Sequence, residues 1–181
     1  MDLADAFGVR EGGGTDGCTR HGAIVPRAAR SRHPFTAPAP NSLVVATSAV
    51  VTDAVGRILL QRRADSGNWA LPGGAMEMAE SLADSVIREV KEETGFDIEV
   101  TGLVGTYTDP RHIIAYSDGE VRRQFNICYT ARITGGTLAI SDESTEIRFV
   151  APAQLDGLSI HHTQRARLDH YLEHRSAPYL G

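Results

Sequence analysis

The residues Arg88-Glu89-Val90-Lys91-Glu92-Glu93-Thr94-Gly95 set three carboxylates on little more than one turn of helix. At about 100° per residue, Glu89, Glu92 and Glu93 share an arc of about 100°, and Ala83, Val86, Ile87 and Val90 fill the arc beside it. Between positions 77 and 99 lie Glu77, Glu80, Asp84, Glu89, Glu92, Glu93, Asp97 and Glu99, with only Arg88 and Lys91 to oppose them. On a solvated helix each like-charge pair costs only a few tenths of a kcal/mol. Here the acids also sit near a helix C-terminus, where the macrodipole disfavours negative charge, and adjoin an apolar face, where desolvation adds to the cost. A hard divalent cation with oxygen ligands relieves both penalties, and Mg²⁺ is the ion such a donor set suits.

The elements around this run are legible as periodicities. Leu82, Val86, Ile87 and Val90 predict a helix over 80–94, with Gly95 as its C-cap. Before it, Trp69-Ala70-Leu71-Pro72-Gly73-Gly74 must end in a turn or loop. Upstream, NSLVVATSAVVTDAVGRILLQRR reads as an antiparallel hairpin about a TDAVGR turn. Downstream, DIEVTGLVGTY, VRRQFNICYTARI, TLAI and EIRFV read as strands, and HHTQRARLDHYLEH as a closing helix with Leu168, Tyr171 and Leu172 on one side. This order predicts an α+β fold with a layered α/β/α arrangement. Residues 1–41 hold Pro26, Pro34, Pro38 and Pro40 and show no apolar period, so they are expected to be a flexible extension before an ordered domain over 42–181.

From Gly74, five residues lead to Glu80 and seven more to Arg88, and the run then continues to Gly95 and Phe96. This resembles the Nudix box, G-x5-E-x7-R-E-U-x-E-E-x-G-U with U a bulky aliphatic residue, and departs from it only at Phe96. The likeness extends to WALPGG and the strand order, over about residues 42 to 175. It implies a Nudix-type α/β/α sandwich with a mixed central sheet. The implied activity is Mg²⁺- or Mn²⁺-dependent hydrolysis of a pyrophosphate bond in a small nucleotide, a nucleoside diphosphate linked to another moiety, such as a (d)NTP or an ADP-ribose-like conjugate.

By position, the resemblance makes Glu89, Glu92 and Glu93 the metal-binding carboxylates, with Glu80 assisting directly or through water, the Gly74 carbonyl as a further ligand and Arg88 orienting the glutamates. It favours Glu89 as general base, with Glu143 or Glu146 as the alternatives on a distant loop. A homodimer is common in the family. A non-catalytic nucleotide-sensing module, or a phosphohydrolase acting on a non-nucleotide diphosphate such as a prenyl diphosphate, is the competing reading.

Candidate substrate contacts are Arg62, Trp69 and Tyr107. Adjacent strand residues face opposite ways, so at most one of Arg62 and Arg63, and one of Arg122 and Arg123, should reach a site. Phe125 reads as core, Pro110 as a turn residue, and His112, His161 and His162 as surface residues without companions at metal spacing. A net charge of −5 argues against a nucleic-acid polymer as partner. Cys18 and Cys128 are too few and too distant for a disulfide framework or a cysteine metal site. The first twenty residues lack the apolar run of a secretory signal, and no stretch of eighteen apolar residues exists to span a membrane, which points to a soluble cytoplasmic protein without a membrane partner.

Overall fold

A computed structural model describes residues 29–32 and 39–181 of the chain. In chain order they form strands β1 (Ala29–Arg32), β2 (Ser42–Thr52), β3 (Ile58–Arg63) and β4 (Trp69–Ala70), helix α1 (Leu82–Thr94), and strands β5 (Phe96–Tyr107), β6 (Ile113–Tyr116), β7 (Val121–Gly136) and β8 (Ser144–Val150). A 3₁₀ turn at Pro152–Gly157, helix α2 (His162–Leu172) and strand β9 (Tyr179–Leu180) complete the order.

The long apolar run of β2 is explained by its place. It lies parallel to β7 from Ser42↔Arg122 to Thr52↔Arg132, with helices on both faces of the sheet. A parallel strand covered on both sides must be apolar on both sides. Alternate residues divide between the two layers. Ala49, Val51 and Leu59 pack with Val86 and Val90 of α1, whereas Val50, Ile58 and Leu60 pack with Leu155 and Leu168 on the α2 side. β7 takes β2 along one edge, and on the other takes β6 near its start and β5 along the rest, so one sheet mixes parallel and antiparallel pairs. The α+β, α/β/α sandwich expected from the sequence is the fold observed.

Several expectations need correcting. The predicted hairpin exists only at its closed end, where Thr52 faces Ile58; β3 takes its full register from β8, from Ile58↔Val150 to Arg63↔Ser144. TLAI is not a strand: β7 runs on through Gly135 and Gly136, and Leu138 and Ile140 are exposed. Four residues of the supposed flexible extension form β1, which pairs with β6 from Ala29↔Tyr116 to Arg32↔Ile113. The remainder of that extension, 1–28 and 33–38, lies outside the described residues. The buried face of α1 is also turned from the one predicted. Ala83 and Ile87 are exposed, while Ser85, Val86, Val90, Glu93 and Thr94 are buried.

Candidate active site

The free edge of β2 carries the loop that ends WALPGG. Ala49 N–H donates to the Pro72 carbonyl (3.0 Å), Thr47 N–H to the Gly74 carbonyl (2.9 Å), and Met76 N–H to the Val45 carbonyl (3.0 Å). The loop is thereby clamped between β2 and α1, and its two glycines keep that approach close. Gly73 sits at φ +142°, and a Cβ on it would strike the Thr47 carbonyl oxygen and Ser48 Cα. A Cβ on Gly74 would overlap the Glu89 carboxyl. Helix α1 opens with a reciprocal cap, Asp84 N–H to Ser81 Oγ and Ser81 N–H to Asp84 Oδ2 (both 3.2 Å), and closes at Gly95 with φ +76°. The Thr47 and Ser85 hydroxyls, 3.1 Å apart, tie it to β2.

One guanidinium organises three of the four box carboxylates. Arg88 Nε donates to Glu80 Oε1 (2.5 Å) and Nη2 to Glu80 Oε2 (3.1 Å), while Nη1 donates to Glu89 Oε1 (2.9 Å) and Glu92 Oε2 (3.0 Å). Nη2 also reaches the Ala75 carbonyl (3.2 Å), so the same side chain fixes the loop. Glu80 accepts in addition from Glu77 N–H (2.9 Å), and Arg88 with that amide holds its carboxyl below the usual range. Burial pushes the Glu89 carboxyl up despite Arg88, with the charges of Glu92 and Glu143 adding to the rise.

Glu93 stands apart. It is only 5% exposed and accepts from Gly73 N–H at 2.7 Å. Desolvation pushes its carboxyl up to about 7, against the lowering effect of hydrogen bonds from Gln61 and Gly73. Gln61 is itself buried, and its Oε1 accepts from Ser144 Oγ (2.7 Å), which leaves its amide N–H₂ to donate to Glu93. Sequence reading passed over Gln61. The available signal was a lone amide inside the apolar strand ILLQRR.

The other sequence candidates divide. Glu143 is near enough for its charge to raise Glu89, whereas Glu146 pairs with Arg148 (3.7 Å) and stands opposite Arg62. Of the first arginine pair it is Arg63, half-buried, whose charge reaches Glu93 and Glu143; Arg62 is exposed and donates to the Gly67 carbonyl (3.2 Å). Trp69 is 5% exposed, belongs to the α2-side core, and has the Arg148 guanidinium 4.4 Å from its ring centroid, so it offers no open face for stacking. Tyr107 is likewise engaged. Its hydroxyl meets His170 Nδ1 (3.1 Å), its ring stacks on Tyr179 (5.2 Å), and burial pushes its hydroxyl up. Phe125 is half-buried opposite Val45, Arg122 is paired with Glu120 (3.1 Å), and Pro110 lies in a turn. A cavity of about 190 Å³ between β5 and the end of α2 is lined by residues such as Val104, His170 and Pro178, away from the carboxylates of α1.

The histidines overturn the expectation made for them. His112, His161 and His162 place their ring nitrogens within 4.8 Å of one another. Neither half-buried His112 nor half-buried His161 is a simple surface residue.

Around α1 the donor chemistry fits a hard divalent cation. Glu80, Glu89, Glu92, Glu93 and the Gly74 carbonyl offer oxygens alone, and four carboxylates against Arg88 leave an excess of negative charge. Burial first, and the charges of neighbouring carboxylates after it, raise the Glu89 and Glu93 carboxyls. The Gly74 carbonyl accepts from Thr47, which leaves its second lone pair for a ligand.

A family model of the NUDIX domain matches residues 42–172. A "MutT-like protein" of Streptomyces ambofaciens is 36% identical over 123 residues, 67% of this chain and 73% of the relative. An "ADP-ribose pyrophosphatase" of Methanocaldococcus jannaschii is 34% identical over 110 residues, 59% of this chain and 61% of the relative. Among solved structures, a NUDIX hydrolase from Nitrosomonas europaea superposes with a TM-score of 0.65 at 22% identity, over 91% of this chain and 96% of that one. Among the described residues no helix is long and apolar enough to cross a membrane.

Proposed function

The chain belongs to the Nudix family of pyrophosphohydrolases, and from that premise we propose that it hydrolyses a pyrophosphate bond in a small nucleotide, a nucleoside diphosphate joined to a further phosphate or to a sugar, using Mg²⁺ or Mn²⁺ held on α1. The observation that carries this reading is the set of carboxylates on α1 and the loop before it, three of them gathered on Arg88 and the fourth clamped by Gly73 N–H. Glu89, Glu92 and Glu93 would hold the ion, with Glu80 and the Gly74 carbonyl completing its oxygen shell. The ion's chemistry there is to neutralise phosphoryl oxygens and to acidify the attacking water.

The chain's own residues do the rest. Arg88 keeps Glu80, Glu89 and Glu92 in one orientation, so that little ordering remains when the ion and the substrate arrive. Gly73 N–H and Gln61 hold the Glu93 carboxyl at the floor of the site, away from bulk water. Glu89, raised by burial, is the carboxylate suited to take the proton of the attacking water. Glu143, whose field reaches Glu89, is the second acid in range. Arg63, half-buried and paired with Asp65 (2.9 Å), lends part of its positive charge to Glu93 and Glu143 on the β3 side.

The test is a screen of nucleoside triphosphates, ADP-ribose, NADH, dinucleoside polyphosphates and nucleotide sugars with Mg²⁺ or Mn²⁺, with both products identified. Hydrolysis within a pyrophosphate that is lost in Glu92→Gln and Glu93→Gln, both still folded, is the expected result. Unchanged turnover in those two variants removes the assignment of the residues. Cleavage of a non-nucleotide diphosphate alone replaces the substrate class.

A further inference from the structure

We propose that His112, His161 and His162 form a second metal centre, separate from the carboxylates of α1, which takes a borderline transition cation such as Zn²⁺ or Co²⁺. The fold brings the three rings together from distant segments. His112 ends the turn between β5 and β6, with its N–H donated to the Asp109 carbonyl (3.0 Å), while His161 caps α2 and His162 is the first residue of that helix. Their ring nitrogens lie within 4.8 Å of one another, a spread that small side-chain rotations can close onto one ion. The rings are angled to one another, at 52°, 86° and 42° pairwise, instead of stacking in parallel.

The donor set selects the metal. Three imidazoles and no carboxylate favour zinc, cobalt, nickel or copper over magnesium. Three protein ligands also leave a fourth position open. His161 Nδ1 accepts from Thr163 N–H (3.4 Å) as the cap of α2 and lies 2.9 Å from Thr163 Oγ1, so ligation through Nε2 requires the ring to give up that cap and take the tautomer that donates Nδ1–H to the hydroxyl, the outer-sphere arrangement usual for ligating histidines. His162, exposed, gives the ion a route from solvent.

One feature works against a cation. Arg167 is 7% exposed, its Nε has no hydrogen-bond partner among the described residues, and its charge bears on His112 and His161; the N-terminus of α2 adds positive potential. An anionic oxygen in the open fourth position offsets that field. The centre is therefore expected to bind more weakly than a closed structural zinc site and to remain open to an exchangeable oxygen ligand.

The experiment uses the full chain without a polyhistidine tag, stripped of metal and then saturated with Mg²⁺ to occupy the oxygen-rich site. Co²⁺ is titrated and followed by visible absorption, and Zn²⁺ is added as competitor. The expected result is one equivalent of Co²⁺ with the intense absorption of a nitrogen-ligated, low-coordinate ion, displaced by Zn²⁺. His112→Ala and His162→Ala should each weaken binding about tenfold or more, since even outer-sphere partners are worth that much. Glu92→Gln should leave the absorption unchanged. His161→Ala is avoided as the sole test because that ring also caps α2. Should His112→Ala fold poorly by circular dichroism, His162→Ala, altered at an exposed ring, decides. Absence of the absorption in the wild type, or an undiminished Co²⁺ affinity in His162→Ala, overturns the proposal.

Discussion

The buried carboxyl of Glu93 makes a prediction that can be worked from the structure. In metal-free protein this group is held at about 7 instead of its ordinary 4.5 because desolvation outweighs the hydrogen bonds from Gln61 and Gly73. With each tenfold change in acidity equal to about 1.4 kcal/mol, the difference amounts to about 3 kcal/mol of tighter proton binding in the fold than in the unfolded chain. The sign follows from the direction. A folded-state value raised above the unfolded one favours the fold fully below about 4.5, and the advantage is lost as pH rises through about 7. At pH 8 the folded protein must therefore carry a buried negative charge. Glu93→Gln keeps a carbonyl to accept from Gly73 N–H and removes that charge, at the cost of setting its N–H₂ against that of Gln61, so in EDTA at pH 8 the variant should be more stable than wild type by up to about 3 kcal/mol, or up to about 12 °C in Tm. At pH 5 the gain should shrink below about 1 kcal/mol, because the wild-type carboxyl is then protonated in the fold. Saturating Mg²⁺ should raise the wild-type Tm and leave the variant behind. Denaturant melts of both proteins at the two pH values, with and without Mg²⁺, are the assay. A gain that does not vary with pH, or a wild type that outlasts the variant in EDTA at pH 8, refutes the argument.

Three further outcomes follow from the same geometry. Arg88→Ala should release Glu80, Glu89 and Glu92 and lower kcat by about 10–100-fold, with weaker Mg²⁺ dependence; Arg88→Lys should not restore it, because one ammonium cannot reproduce a fork that grips three carboxylates. Gly73→Ala should destabilise the protein by about 3 kcal/mol or more in denaturant titrations, since φ +142° and the Thr47 carbonyl both reject a Cβ. Glu143→Gln should change the pH profile of kcat by removing a charge that raises Glu89, whereas Glu146→Gln, paired with Arg148 and opposite Arg62, should leave that profile in place. Coincident profiles for all three proteins would remove Glu143 from the site.

What was legible in the chain is what one helix dictates by itself. Residues at fixed spacing on α1 must share a face, so the carboxylate cluster and the Arg88 beside it could be placed from periodicity, and Gly95 ended the helix as its position required. What was not legible depends on who sits opposite. Glu93 differs from Glu92 by one residue, yet it is buried against the Gly73 loop while Glu92 is largely exposed, and only the clamping of that loop along β2 decides between them. Trp69 has the composition of a stacking platform until the α2 layer covers it. TLAI has the composition of a strand, but among the described residues no strand partners it after β7 and β5 have closed at Phe96↔Gly136. The histidines make the same point most sharply. His161 and His162 are neighbours in the chain, but the third ring belongs to a turn far upstream, and no local spacing announces a triad that exists only because β5 delivers His112 to the N-terminus of α2. A function carried on one element can be read from one element, and a function assembled from several requires the fold.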